Sequence, residues 1–280
     1  FSGVIRRDGS SKFGPQNKFG WFPSGSVGWI LSNEDFLSDS NFVNFLKLRA
    51  SYGILGNDRI PDFRYASTLS GEGTYVFDNM LFNGTALGAV GNPQIRWEEQ
   101  KSFDIGVDAK FIDNKLDITA DYFNRKTEDL LVIPQVSGLL GTAAPGSGPP
   151  VVNAGTVENQ GFEFSIGYSD NISDDFNFSV RYNVTTLDNE VIEVSGQGDF
   201  IPGGAFGVGQ DPPARMEAGF PLGYFRGFKT DGVFQNQAEV DAVPHFPGAR
   251  PGDIRYVDVD GDGDIDTDDR KIVGSYNPDY

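Results

Sequence analysis

A strict alternation of apolar and polar residues constrains the fold of this 280-residue chain more than any other feature. In KSFDIGVDAKF (101–111), every second residue from Phe103 to Phe111 is apolar, and the residues between them are polar or small. Successive side chains of a β-strand point to opposite faces, so this period of two predicts a strand with one apolar and one polar face. Four more segments repeat the pattern: FLKLRASYG (45–53), KLDITADYF (115–123), GFEFSIGY (161–168) and FNFSVRYNV (176–184). Their length of about 9 to 11 residues suits a tilted strand that crosses the hydrocarbon layer of a membrane.

The connections between these segments alternate between short and long. IDNK (112–115) and SDNISDD (169–175) are short turns, whereas 56–100, 125–160 and the chain from 187 onward are long and rich in Gly and Pro. If neighbouring strands are antiparallel, all short turns lie at one end of the sheet, as the periplasmic turns of outer-membrane barrels do, and all long loops lie at the extracellular end. We therefore predict an all-β fold that forms part of a large antiparallel transmembrane β-barrel. A soluble β-sandwich also alternates its faces and stays open on periodicity alone, although recurrent loops of this length are unusual in one.

The acidic segment DVDGDGDIDTDD (258–269) has the spacing of a twelve-residue calcium loop, with Gly263 at the sharp turn and Ile265 as the apolar anchor. We predict that it holds a structural Ca²⁺ ion, and a solvated acidic turn without an ion is the alternative. The last ligand position carries aspartate where such loops have glutamate, and the shorter side chain reaches an ion less easily. The preceding DIRYV (253–257) predicts a strand and not a helix, which argues against a calcium sensor. The candidate ligands are Asp258, Asp260, Asp262, Asp264 (through its carbonyl), Asp266 and Asp269.

Composition excludes several classes of function. The formal net charge of −18 argues against nucleic acid, because phosphate binding needs clustered Lys and Arg. The chain has no cysteine and one histidine, His245, so it can form neither a disulfide framework nor a histidine-rich zinc site, and we assign His245 to a loop. Carboxylates are plentiful, but no pair stands out as the acid and base of a glycosidase. We predict that the chain is not an enzyme and has no catalytic residue.

Several phrases occur in a fixed order along the chain, among them LKLRASYGILGN (46–57), NPQIRWEEQKSFDIGVDAKF (92–111), NKLDITADYFNRKTEDLL (114–131) and PGDIRYVDVDGDGDIDTDDRKIVGSYNPDY (251–280). Together they resemble the C-terminal barrel region of SusC/RagA-type TonB-linked outer-membrane proteins of Bacteroidota, and the resemblance covers nearly the whole chain. It implies a transporter barrel of 22 strands whose lumen is closed by an N-terminal plug.

The resemblance also implies a function, a location and partners. Such proteins lie in the Gram-negative outer membrane, in contact with its lipid, and import oligosaccharides, or in some members peptides, with energy passed on by TonB. A SusD-like surface lipoprotein covers the barrel as a lid. Neither a plug, a TonB box nor a signal sequence is visible in this chain, so we expect TonB to act through an N-terminal region absent here. The alternative function is a soluble or surface-attached, calcium-dependent carbohydrate-binding or adhesin domain.

The barrel interpretation assigns places to individual regions and residues. We expect 1–187 to supply barrel strands with their loops, as an internal piece of the barrel, and 188–280 to form a long extracellular excursion that includes the calcium loop 258–269. Aromatic loop residues are expected to pack within the loops, with stacking against sugar rings as the alternative: Tyr75, Trp97, Phe200, Phe206 and Tyr224. Polar strand residues are expected to face the lumen: Asp104, Asp108, Asp117, Asp121, Glu163 and Arg181.

Overall fold

The computed structural model describes residues 1–69, 71–134, 136, 139, 147–173, 175–195, 199–204, 207 and 211–275. The chain divides into two compact units, Phe1–Gln197 and Gly198–Tyr280. Regular structure in the described residues is almost entirely β-strand, as the alternation predicts. None of their helices is both long and apolar enough to cross a lipid bilayer.

The first unit is built on one antiparallel sheet of eight strands. Seven of these lie side by side in chain order: β1 (Ser2–Gly9), β2 (Phe19–Ile30), β3 (Val43–Asn57), β6 (Glu98–Phe111), β7 (Leu116–Glu128), β10 (Thr156–Ser173) and β11 (Phe176–Thr185). The eighth, β12 (Asp188–Glu193), continues β11 along the same edge of β10. Two small hairpins lie in the long connections: β4 (Gly71–Phe77) with β5 (Met80–Ala86), and β8 (Leu131–Val132) with β9 (Val152–Asn153).

The strands are longer than the alternating segments predict. β3 and β6 pair without a break as far as Asn57 and Glu98, so hydrogen-bonded ladder extends into what the sequence assigns to a long loop. At the other end, β10 runs to Ser173 through most of the predicted turn 169–175, because its last residues pair with the start of β11. The alternation of apolar and polar residues does not reveal β2, which contains Pro23. Pro23 pairs with Ile5 of β1, but the ladder to β3 begins only at Ser24.

The long connections meet at one end of this sheet in a small apolar cluster. Its buried members come from three connections and one strand: Phe13, Phe22, Ile60, Ile95, Trp97 and Val151. The Trp97 ring lies 5.0 Å from that of Phe13 and 5.3 Å from that of Phe22, measured between centroids. These contacts hold the connections against the sheet by burial of aromatic surface.

The second unit consists of short strands around one helix. A four-stranded sheet has the order β13 (Phe200–Pro202), β14 (Ala214–Glu217), β15 (Tyr224–Phe228) and β18 (Arg270–Gly274). β16 (Thr230–Val233) pairs with β17 (Ile254–Tyr256). The helix α1 (Gln237–Ala242) starts at Asn236, whose side chain accepts a 3.0 Å hydrogen bond from the backbone N–H of Glu239. Two 3₁₀ turns complete the described structure, at Leu31–Asn33 and Thr267–Asp269.

Candidate functional site

One face of the eight-stranded sheet is apolar and exposed. The strand register aligns Trp29, Leu48, Val107, Ala120 and Phe164 in one row across β2, β3, β6, β7 and β10. Neighbouring rows are equally apolar, and many of their large side chains are open to the surroundings. Such a face is unfavourable in water, because large apolar side chains such as Leu48, Phe103 and Ile105 remain 41–49% exposed on it. It suits lipid contact.

The apolar face ends in charged residues towards the long connections. Tyr52 and Phe103 oppose each other across β3 and β6 as the last aromatic pair. One step further, Lys101 of β6 opposes Lys126 of β7, and the Lys101 ammonium is paired with the Glu128 carboxylate. Aromatic residues followed by charge mark the border of the lipid-facing band in outer-membrane barrels.

The opposite face is polar, and its central feature is an ion pair that spans three strands. Arg49 of β3 donates to Asp108 of the adjacent β6 at 3.1 Å and to Asp121 of β7, one strand further, at 2.7 Å. The residue between Arg49 and Asp121 in this row is Gly106. A Cβ atom at Gly106 would lie 2.0 Å from Asp121 Oδ1 and 2.9 Å from Arg49 Cζ. Glycine at this position leaves the space in which the two charged side chains approach each other over the strand.

The same arrangement occurs a second time on this face. Arg181 of β11 donates to both carboxylate oxygens of Asp117 of β7, at 3.1 and 3.0 Å. Gly167 of β10 lies between them in the row, and a Cβ atom there would lie 2.5 Å from Asp117 Oδ1. Strand-spanning ion pairs over glycine are thus a repeated design of the polar face.

The predicted inner-wall residues share this polar face. Asp108, Asp117, Asp121 and Arg181 take part in the two strand-spanning networks. Asp104 accepts a 3.2 Å hydrogen bond from the Ser102 hydroxyl, and Glu163 of β10 opposes Asp121 of β7 on the same face. The periodicity found the face of each residue, but no sequence signal paired Arg49 with Asp121 or pointed to the role of Gly106.

The aromatic loop residues divide into buried and exposed members. Trp97 and Tyr224 are buried, with 9% and 2% of their surface exposed, so packing accounts for both. Tyr75 is 69% exposed on the β4–β5 hairpin, and Phe200 is 41% exposed with the Arg215 guanidinium carbon 4.4 Å from its ring centre. Phe206 lies outside the described residues. His245 lies in a loop, with Nδ1 2.9 Å from the Val243 carbonyl oxygen.

The structure brings together three of the six predicted calcium ligands. Carboxylate oxygens of Asp258, Asp260 and Asp262 lie within 4.8 Å of one another. Within the described residues, the carboxylates of Asp264, Asp266 and Asp269 are not part of this group, and the predicted ligand of Asp264, its backbone carbonyl, stays a prediction. The expected surroundings are present: β17 leads into the loop as a strand, and Ile265 is buried, with 6% of its surface exposed. Gly263 has φ of 94°, the left-handed turn that position 6 requires.

Asp269 closes the acidic loop through hydrogen bonds from backbone N–H groups. Its buried carboxylate accepts from the backbone N–H groups of Val259 at 2.6 Å and Asp266 at 3.0 Å. These backbone hydrogen bonds hold the pKa of Asp269 below its ordinary value. The pKa of Asp260 is raised instead: a hydrogen bond from the Asp262 N–H lowers it, but desolvation and the charges of neighbouring aspartates, Asp262 first among them, outweigh that bond. A cation here would relieve this repulsion.

The chain resembles known sequences over its whole length. Residues 2–280 match the family model described as TonB dependent receptor-like, beta-barrel. TonB-dependent receptor P3 of Formosa agariphila is 34% identical over 285 residues, which cover 100% of this chain and 28% of the relative. TonB-dependent receptor SusC of Bacteroides thetaiotaomicron is 30% identical over 280 residues, covering 97% of this chain and 26% of the relative. The chain thus spans little more than a quarter of the length of these relatives.

Solved structures resemble the fold as well. The RagAB peptide transporter superposes with a TM-score of 0.75 at 22% identity, over 97% of this chain and 27% of the solved one. The RagAB peptide importer in its closed-closed state gives a TM-score of 0.74 at the same identity. The predicted barrel is confirmed over the predicted sandwich alternative, since these proteins share the fold of the chain. The chain belongs to the TonB-dependent receptor-like β-barrel family, whose members are transport proteins of the Gram-negative outer membrane and not enzymes, as the sequence predicts.

Proposed function

We propose that this chain supplies wall strands and outer loops of a TonB-dependent importer that takes up oligosaccharides, with peptides as the second substrate class. The observation that carries the proposal is the pairing of an exposed apolar face with a polar face of matched charges in one register. An apolar outer face needs lipid, and a polar inner face suits a lumen through which hydrophilic solutes pass. The remaining strands of the barrel and its plug would correspond to the part of the relatives' length that this chain does not span.

The proposal includes a SusD-like surface lipoprotein over the long loops. The proteins of similar fold are solved as RagAB, a peptide importer, in closed-closed and open-open states. A second protein in that assembly favours the same two-component arrangement for this chain. Energy would come from TonB, bound by a part of the protein outside this chain. The unit Gly198–Tyr280 would form the extracellular excursion that meets the lid.

Exposed aromatic side chains on the loops favour a saccharide. Tyr75 and Phe200 present open rings, and aromatic rings offer sugar rings an apolar platform. In the second unit, a cavity of about 420 Å³ is lined by Phe246, Tyr256 and His245 among others. A cavity of this size with aromatic walls and a histidine would suit a hydroxylated ring.

The first test is purification of the full-length protein from its native outer membrane in detergent, followed by mass spectrometry of the accompanying proteins. The proposal expects a chain of the relatives' length together with a surface lipoprotein. Binding of neutral oligosaccharides and of short peptides to that complex, measured by calorimetry, separates the two substrate classes. Recovery without a membrane partner, as a water-soluble species, would overturn the importer and favour the soluble binding-domain alternative.

The proposal also includes a structural Ca²⁺ ion in the acidic loop 258–269. Asp258, Asp260 and Asp262 supply carboxylate oxygens, which are the ligands that Ca²⁺ prefers, and Gly263 and Ile265 occupy the turn and anchor positions. The ion would brace a loop whose like charges otherwise repel. Limited proteolysis of the full-length protein with and without the chelator EGTA tests this, with Asp258→Asn, Asp260→Asn as the double variant that should cleave equally in both. Equal cleavage of the wild type in both conditions would remove the ion from the proposal.

A further inference from the structure

The polar face carries a recess whose floor consists mostly of serine. Its floor, the serine recess, consists of two rows that cross β1, β2, β3 and β6: Ser2, Ser26, Ser51 and Asp104 in one row, and Val4, Ser24, Gly53 and Ser102 in the next. It encloses a volume of about 350 Å³. A second hollow of about 200 Å³ shares Ser26, Ser51 and Asp104 with it, so the depression continues along the wall.

The recess exists because small side chains lie between large ones. On one side the next row carries Arg49 and its partner Asp121, and on the other side Arg6 and Phe22 rise from the sheet. Since the strand backbones lie in one sheet, the height of the wall follows the size of the side chains. Two adjacent rows that consist mostly of serine therefore lower the wall along a strip that crosses four strands.

The floor of the strip is mostly hydroxylic, with one carboxylate, Asp104, which accepts a hydrogen bond from the Ser102 hydroxyl. At its borders Arg6 pairs with Asp8 at 2.7 Å and Arg49 pairs with Asp108 and Asp121. Lys47, which lines the second hollow, has no ion pair among the described residues. Neither the Ser24 nor the Ser51 hydroxyl has a side-chain hydrogen bond among the described residues. Each of these hydroxyls can donate one hydrogen bond and accept others, as the hydroxyls of a sugar do.

Such a surface binds weakly and repeatedly. A neutral hydrogen bond formed in exchange for one to water contributes only about 0.5–1.5 kcal/mol. A row of similar groups lets a solute exchange one partner for the next without a deep minimum, which is the condition for passage through a channel. A fixed array of unpaired charges would instead retain an ionic ligand.

We propose that the serine recess is the strip of the inner wall along which a neutral, hydroxyl-rich chain moves during import. This inference rests on the proposed function and adds to it a path and a preference for uncharged, polyhydroxylated solutes. It places the path on β1, β2, β3 and β6 and away from the strand-spanning pair of Arg181 and Asp117.

The test uses the full-length protein in outer-membrane vesicles with cysteine at Ser51 or, separately, at Ser24. This chain contributes no cysteine of its own, and the unsubstituted protein supplies the blank for any cysteine elsewhere. The probes are three methanethiosulfonate reagents that carry a glucosyl, a trimethylammonium or a sulfonate group. Ser165→Cys is the matched control, since Ser165 is a serine of the same polar face on β10, outside the recess.

The expected result is that the thiols of Ser51→Cys and Ser24→Cys react severalfold faster than the thiol of Ser165→Cys. At the two recess positions, the glucosyl reagent should also react faster than either charged reagent. Rates are normalised to those of the same variants unfolded in urea, and heat-dependent mobility on a gel verifies that each variant is folded. Reaction no faster at 51 and 24 than at 165 would overturn the path, and equal normalised rates for the three reagents would overturn the preference. Either result is read without import, so it stays distinct from failure of the purification experiment that tests the importer itself.

Discussion

Replacing Gly106 by alanine tests the strand-spanning ion pair of the polar face most directly. The new Cβ would lie 2.0 Å from Asp121 Oδ1, so the Asp121 carboxylate has to leave its position between β6 and β7. Arg49, whose Cζ would lie 2.9 Å from the new Cβ, has to shift slightly as well; it loses the 2.7 Å contact with Asp121 and retains Asp108 as its partner. The perturbation therefore removes one ion pair and leaves the backbone ladder in place.

The expected cost follows from the burial of the pair. The side chains of Arg49 and Asp121 are 35% and 16% exposed, so the pair is intermediate between a surface pair and a buried one. A surface ion pair contributes about 0–1 kcal/mol to stability, and removing one partner of a buried pair costs about 3–5 kcal/mol. We take about 2 kcal/mol for the loss. Alanine in place of glycine raises the free energy of unfolding by roughly 0.5 kcal/mol, because it restricts the unfolded chain. The free energy of unfolding should fall by about 1.5 kcal/mol.

The assay is urea unfolding of the full-length protein in lipid vesicles, followed by tryptophan fluorescence. Gly25→Ala is the matched control, because a Cβ at Gly25 meets its nearest neighbour, the Ser2 carbonyl oxygen, at an ordinary 3.6 Å. Its stability should be unchanged or slightly raised. Gly106→Ala should also cost little in an Asp121→Ala background, since the contact it destroys is already gone. Equal midpoints for Gly106→Ala and Gly25→Ala would refute the stabilising role of the pair.

Three further predictions concern exposed charges and turns. Arg181→Ala should lower the free energy of unfolding by less than about 1 kcal/mol, because the Arg181 side chain is 61% exposed, and a loss as large as that of Arg49→Ala in the same urea assay would contradict this. On acidification, the protease resistance of loop 258–269 should be lost in two steps: its calcium-dependent part fades first, because the pKa of Asp260 is raised above 3.8. The second step comes from Asp269, whose pKa is lowered, so that it stabilises the loop fully above pH 3.8 and loses this effect only as the pH falls through its folded value. Asp269→Asn should abolish the second step and leave the first. Asn79→Val should open the β4–β5 hairpin to proteases whereas Asn79→Gly should not, because Asn79 has φ of 57°, which a β-branched residue adopts only with strain.

The acidic loop shows how far local sequence reaches. The spacing of its aspartates predicted the turn at Gly263 and the buried anchor Ile265, and the residues of DIRYV (253–257) predicted the strand before it; all three are present. It did not predict that Asp269 would be enclosed and bonded to the backbone N–H groups of Val259 and Asp266. The turn, the anchor and the strand depend on neighbours a few residues apart in the sequence. The hydrogen bonds of Asp269 depend on how the two ends of the loop meet.

The loops show the opposite balance. Trp97 and Tyr224 cannot be told from Tyr75 and Phe200 in the sequence, since all four are aromatic residues in segments that the sequence assigns to loops. The first two are buried and the last two are exposed. Burial depends on which connections meet at the end of the sheet, and no local pattern encodes that meeting.

The sequence by itself determined that the chain forms strands with one apolar and one polar face, and on which face each residue lies. That information is local, because an extended backbone turns successive side chains to opposite sides. Only the tertiary structure decided which residues stand beside one another on a face. Arg49 meets Asp121 across 72 residues of sequence, and Ser26, Ser51 and Asp104 form one row of the serine recess, because the hydrogen-bonded ladders fix the register of strands that the chain itself keeps far apart.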